Sequence, residues 1–384
     1  MRRHLPPAVA RSLTRCALFF LPLAPLAAAD ASAPIKIGQY ASLTGKEASF
    51  GQASHRGVAL AVDELNAHGG ILGREVEFLV EDIQSKPGES ATAVKKLIAR
   101  DEVVAVLGGN ASTNSLEAAP VCQAAHVPMI AISSTNPKVT AMGSYIFRAC
   151  FIDSFQGAVL AKFSHDTLHA KRVALLTSVS APYSVGLSRV FRERFTAAGG
   201  EIVAEQKYTE GDKDFRAQLT AVKALAPDAI AATGYYTEAA LICRQARDLG
   251  LDIPIIGGDG WEAPQLIYLG GAAVEGTYYS THYSAESPAP EVQLFIKKFR
   301  ARYDGETPDA VAALGYDAMM LLADAITRAG TTAGPKLRDA LAGTKNFSGV
   351  TGRTTIDTDR NPSKPAIIVT VKDGHTQFVG AVAP

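Results

Sequence analysis

Positive charge in excess, cysteine, catalytic motifs and long apolar runs are all scarce in this chain, and each shortage excludes something. Thirty-eight basic residues balance thirty-eight acidic ones, for a formal net charge of +0, and no basic run stands in the body of the sequence. Phosphate backbones are bound by clustered Lys and Arg, so nucleic acid is excluded as a partner. Beyond the first thirty residues, no apolar stretch reads as long enough for a membrane span, which takes about 20 residues. Of the four cysteines, Cys16 lies in a leader, leaving Cys122, Cys150 and Cys243. An odd number cannot pair fully within one chain. Cys122 and Cys243 sit in helical patterns among apolar neighbours, where a buried thiol behaves as a small hydrophobe. Three free thiols are expected.

Chemistry is missing as well. There is no His-Glu-x-x-His, no Gly-x-Ser-x-Gly and no phosphate loop, and the eight histidines are scattered without metal-ligand spacing. Asp357, Asp359 and Asn361 stand at calcium-loop spacing, but the sixth-position Gly and the twelfth-position Glu are absent. The turn Gly69-Gly70-Ile71-Leu72-Gly73 follows a helical pattern and precedes a strand, the wrong order for a dinucleotide site. Neither an enzyme nor a bound metal or cofactor is expected.

What is present begins with the leader. Met1 to Arg15 carry Arg2, Arg3, His4, Arg11 and Arg15 with no acid, Cys16 to Ala29 are almost wholly apolar or small, and Ala27-Ala28-Ala29 suits signal peptidase. Residues 1–29 read as a cleaved signal peptide, which puts the mature protein in the periplasm. Hydrophobic content of 47% and the remaining length suit two domains with large cores.

Along that remainder, short apolar strands alternate with amphipathic helices. Ile35–Tyr40, Glu75–Val80, Val103–Leu107 and Pro128–Ile132 read as strands, separated by helical patterns over Gly51–His68, Ser90–Arg100 and Ser112–Ala125. The alternation restarts at Arg172–Leu176 and runs to Ile253–Ile256. Three helices and a terminal hairpin, Ala366–Val371 with Thr376–Val379, follow. Continuous apolar strands between helices predict an α/β fold of two doubly wound parallel-sheet lobes. The division falls near Arg148–Ser154, with several crossings between lobes.

Four polar clusters follow apolar runs and precede helix-like stretches: Asn110–Ser115, Ser133–Pro137, Gly234–Glu238 and Gly257–Glu262. They offer hydroxyls and helix-start amides for an anion, aromatics for an apolar body, and Asp259 for a cation. Open α/β sheets bind ligands at such strand ends. The inventory suits a free amino acid.

The order and spacing of further markers resemble the periplasmic binding proteins of branched-chain amino acid ABC transporters. These markers include Leu43-Thr44-Gly45 with Phe50-Gly51, Asn66–Ile71, Tyr145–Arg148, Ala181-Pro182-Tyr183, Lys213-Asp214-Phe215 and Gly315–Ala318. The resemblance runs from Ile35 to the C-terminus. It implies a type I periplasmic-binding fold with three hinge crossings, lobe 1 being residues 30–149 with 282–355 and lobe 2 being 150–281 with 356–384. It implies a ligand in the cleft, no chemistry on it, and delivery by a monomer to a membrane-embedded ABC permease.

Residue by residue, the resemblance gives Ser112 to the ligand carboxylate, and the Ser133 carbonyl and Thr135 hydroxyl to the ammonium. The Thr135 amide also goes to the carboxylate, and Asp259 is the acidic partner of the ammonium. Phe50, Tyr183 and Tyr235 match cleft-lining positions. Ser133 and Ser134 are polar where the family has small apolar residues, and Asp259 stands where Glu is usual. The single tryptophan, Trp261, is expected either to cap the ligand or to close its lobe. The ligand itself stays open: a branched-chain or other apolar amino acid leads, with amides, urea or aromatic acids behind. A ligand-sensing module of the same fold is the other reading.

Overall fold

A computed structural model describes Met1, Arg2, His4 and residues 33–383. The signal-peptide reading over residues 1–29 therefore lies, those three residues apart, outside the described residues. In chain order the strands of the first sheet are β1 (Ile35–Ala41), β2 (Val76–Asp82), β3 (Ala105–Gly108), β4 (Met129–Ala131) and β5 (Ile146–Arg148). Helices α1 (Ala48–Ala67), α2 (Glu89–Ala99), α3 (Ser112–Ala125) and the one-turn α4 (Lys138–Ala141) connect them. All pairs are parallel, in the order β2-β1-β3-β4-β5.

Period-two side-chain alternation sends this sheet's residues to two cores. Ile35, Ile37, Leu107, Ile130 and Phe147 face one, while Tyr40, Val106, Met129, Ala131 and Ile146 face the other with residues of α2 and α3. A strand buried on both faces has no solvent side to keep polar, which is why these segments read as unbroken apolar runs.

After β5 the chain enters α5 (Asp153–Lys162) and a second sheet. Its strands are β6 (Arg172–Ser178), β7 (Glu201–Tyr208), β8 (Ala229–Ala232), β9 (Ile255–Gly257) and β10 (Tyr278–Thr281), with α6 (Pro182–Ala197), α7 (Arg216–Ala224), α8 (Tyr236–Asp248) and α9 (Pro264–Gly270) between them. The chain then returns to the first sheet, where α10 (Pro290–Arg302), α11 (Ala310–Ala329) and α12 (Gly334–Ala342) join α1 in covering one face. A small sheet of β11 (Phe347–Gly349), β12 (Gly352–Ile356) and β13 (Pro362–Ser363) follows. A third crossing leads to β14 (Ala366–Lys372) and β15 (His375–Val382).

The expected terminal hairpin β14–β15 pairs antiparallel onto β10, so the second sheet runs β15-β14-β10-β9-β8-β6-β7, its parallel strands extended at one edge by the hairpin. The helix α11 departs from expectation. By length and composition it is apolar enough to cross a bilayer. It is instead the central core helix of the first half, its residues from Ala310 to Ala318 all buried. Asp309 caps it, accepting from the Ala312 N–H at 2.8 Å. Cys122, Cys150 and Cys243 are free and buried.

Candidate functional site

The strand ends of both sheets open on a small cavity. Phe50 on α1, Asn110 and Ser112 after β3, Ser133 and Thr135 after β4, and Val311 on α11 line it from the first sheet's side. Tyr183 at the start of α6, Tyr235 before α8, and Asp259, Gly260 and Glu262 after β9 line it from the second. His282, just past β10, completes the wall.

Ser112 and Thr135 are placed by loop and helix-start geometry. Ser112 is the first residue of α3 and is buried. Its Oγ accepts from the Asn136 N–H at 3.3 Å, so the hydroxyl proton is free to be donated. Thr135 is fully buried, and its hydroxyl lies near the Asp153 carboxyl without making a well-formed hydrogen bond. A buried hydroxyl in that state costs free energy unless a ligand meets it.

Across the cavity stands Asp259. Gln156 anchors it twice, its Nε2 donating to Oδ1 at 2.9 Å and its Oε1 accepting the Asp259 N–H at 2.7 Å. His282 Nε2 lies 3.1 Å from Oδ2 and is the one basic group within ion-pair distance of that carboxylate among the described residues. Burial lowers the imidazole's pKa against the opposing pull of Asp259, so the neutral form of His282, which offers a hydrogen bond, is favoured. The negative charge of Asp259 is thus solvated by dipoles but not neutralised. A carboxylate has about four acceptor sites, which leaves room for a ligand cation.

Tyr183 and Tyr235 stack at 5.2 Å between centroids, and Phe50 meets Tyr235 edge-on at 6.0 Å. The Tyr183 hydroxyl accepts from the Gly260 N–H at 3.0 Å. These rings form the apolar body of the site.

Two residues expected here are elsewhere. Ser134 is fully buried, but its Oγ turns back onto the loop before α3, 2.8 Å from the Gly109 carbonyl and 2.7 Å from Ser115 Oγ. Ser133, Ser134 and Thr135 continue the alternation of the strand they leave, so the first and third reach the cavity and the second points away. Trp261 is also fully buried, its indole donating to the Ala232 carbonyl at 3.1 Å. The ring lies over Gly257, where a Cβ would be 2.1 Å from it, so Trp261 packs within the second sheet's core. Sequence reasoning placed Asn110 and Glu262 in its polar clusters without giving them a part in the site, and missed Val311 and His282. Burial pushes the Glu262 carboxyl up to about 7.

A second acid, Asp153, sits behind Asp259, 3.3 Å from the same Gln156 Nε2. Burial, reinforced by the charge of Asp259, pushes its carboxyl up from 3.8 to about 8. Its folded pKa lies above its unfolded one, so the folded state holds more protons between these values and stability falls as pH rises through that window. Asp153→Asn should remove this decline. Its melting temperature relative to wild type should climb from pH 4 to pH 9, whereas a constant difference would mean the carboxyl is not so perturbed.

Two α/β layers with converging strand ends and a polar cavity between them define a small-molecule-binding fold of the type I periplasmic class. The sequence profile described as periplasmic binding protein matches residues 34–376, and the chain belongs to that family. The Leu/Ile/Val-binding protein BraC3 of Rhizobium johnstonii is 32% identical over 322 residues, 84% of this chain and 85% of its own length. The leucine-binding protein LivK of Thermotoga maritima has a TM-score of 0.87 at 40% identity, covering 91% of this chain and 99% of its own. The branched-chain amino acid transporter substrate-binding protein LivJ of Streptococcus pneumoniae, solved with isoleucine, also has a TM-score of 0.87. It is 36% identical and covers 91% of this chain and 100% of its own.

Proposed function

We propose that this protein captures a free α-amino acid, branched-chain or otherwise apolar, and delivers it to an ABC permease. The observation that carries the reading is Asp259: a buried carboxylate with dipolar partners and no neutralising cation, facing donor groups of Ser112 and Thr135 across one small cavity. An ammonium at one end and a carboxylate at the other satisfy both sides. Phe50, Tyr183, Tyr235 and Val311 surround the side chain. Similarity to LivK, LivJ and BraC3 supports the same class of ligand.

In this reading the lobes are residues 30–149 with 282–355 and 150–281 with 356–384, closing over the ligand about the three crossings. The protein acts as an exported monomer, cleaved near Ala29. A thermal-shift panel on ligand-stripped mature protein tests the reading. Ligand at about 100 times its Kd stabilises by ~2.7 kcal/mol, a shift of several degrees. Leucine, isoleucine or valine should give that shift, and urea, acetamide and benzoate should not. A response confined to the latter three would overturn the role of Asp259.

A further inference from the structure

Arg148, at the end of β5, is fully buried and lines no part of the cavity. Its guanidinium donates to the Ser134 carbonyl at 2.6 Å, the Asn136 carbonyl at 2.9 Å and Thr140 Oγ1 at 3.1 Å. All three oxygens are neutral. A buried cation without a carboxylate in contact is expensive, so its retention calls for a reason beyond packing.

The two carbonyls flank Thr135. In a trans peptide the C=O and N–H point to opposite sides, and this chain has no cis bonds among its described residues. Drawing the Ser134 carbonyl onto Arg148 therefore directs the Thr135 N–H the other way, on the residue that faces the cavity. The Cys150 thiol donates to the same Ser134 carbonyl at 3.3 Å, and the Asp153 N–H fixes the Thr135 carbonyl at 2.9 Å. The Thr135 N–H itself has no partner among the described residues. A charged donor on the carbonyl also polarises the peptide, which strengthens its N–H as a donor.

We propose that Arg148 is the positioning residue of the ligand's carboxylate subsite, holding the Ser134–Asn136 loop so that the Thr135 N–H is presented to the anion. This rests on the amino acid reading above, in which that anion is the ligand carboxylate.

The test compares L-leucine with L-leucinamide, which keeps the ammonium and lacks the carboxylate, by titration calorimetry on wild type, Arg148→Lys and Arg148→Gln. Losing the fork should weaken leucine binding by roughly 10- to 100-fold, the range expected when a hydrogen bond to a charged group is lost. Leucinamide affinity should barely move, so discrimination between the two ligands shrinks. A purely structural role would lower both affinities together, with the discrimination kept, and that result overturns the proposal. Should the Arg148 variants fail to fold, Thr140→Val removes one anchor and leaves the guanidinium in place. It should narrow the same discrimination to a smaller extent, and full discrimination in Thr140→Val would count against the proposal. A wild-type protein that binds no amino acid overturns the functional reading itself, and this inference with it.

Discussion

Asp259→Ala should reduce amino acid affinity by roughly 100- to several-thousand-fold, because breaking a buried charge pair by deleting one partner costs about 3–5 kcal/mol. The magnitude follows from the electrostatics of the cavity. Gln156 and His282 hydrogen-bond Asp259, and in the proposed function its countercharge comes from the ligand. Removing the carboxylate strands the ammonium without a countercharge. The fold should survive, since Gln156 keeps the Asp259 N–H and the Ser280 hydroxyl as partners of its Oε1. Asp259→Asn separates charge from shape: it keeps an oxygen for Gln156 yet should lose most of the affinity. Calorimetry with leucine and a ligand-free melting curve measure both quantities. Undiminished affinity in either variant would remove Asp259 from the site.

The second large effect is on stability. Gly57 on α1 lies against α11 so closely that a Cβ there would sit 1.9 Å from the Ala312 carbonyl oxygen and 2.9 Å from the Tyr316 nitrogen. Both clashing atoms belong to helix backbone, which cannot swing aside as a side chain can. Gly57→Val should therefore cost roughly 3 kcal/mol or more, at or beyond the upper end for overpacking. It should also weaken binding, because α1 carries Phe50 and α11 carries Val311 into the cavity. Urea unfolding monitors the first effect and calorimetry the second. An unchanged urea midpoint would mean the two helices do not cross as described.

Most of the strand-helix alternation was legible because the central parallel strands are buried on both faces and most covering helices on one. The strand β10 was not: Tyr278-Tyr279-Ser280-Thr281 offers neither an apolar run nor a turn signal that would separate it from a loop. With β10 unread, His282 lost its place at a strand end and remained one histidine among eight. The antiparallel attachment of β14 to β10 was hidden for the same reason.

Within the site, Ser112, Thr135, Asp259, Tyr183, Tyr235 and Phe50 converge on the cavity, and the strand-end argument is what located the first three. Ser134 was misplaced, and the two places left open to Trp261 could not be told apart, because proximity in sequence says nothing about side-chain direction. Ser134 takes the outward side of an extended segment, and a one-turn 3₁₀ helix over Asp259–Trp261 swings the indole back beneath β9. Glu262 and Val311 meet only through tertiary packing, the Ala310 N–H donating to Glu262 Oε1 at 3.2 Å. No local pattern carries that contact.

The central claim is that the cavity reads the ammonium of an amino acid through Asp259. Titration calorimetry of the ligand-stripped wild-type protein with L-leucine and with 4-methylpentanoate, the same molecule without its amine, addresses it most directly. Tight binding of leucine and no measurable binding of the deaminated acid is the predicted result. Comparable affinity for the two would contradict it.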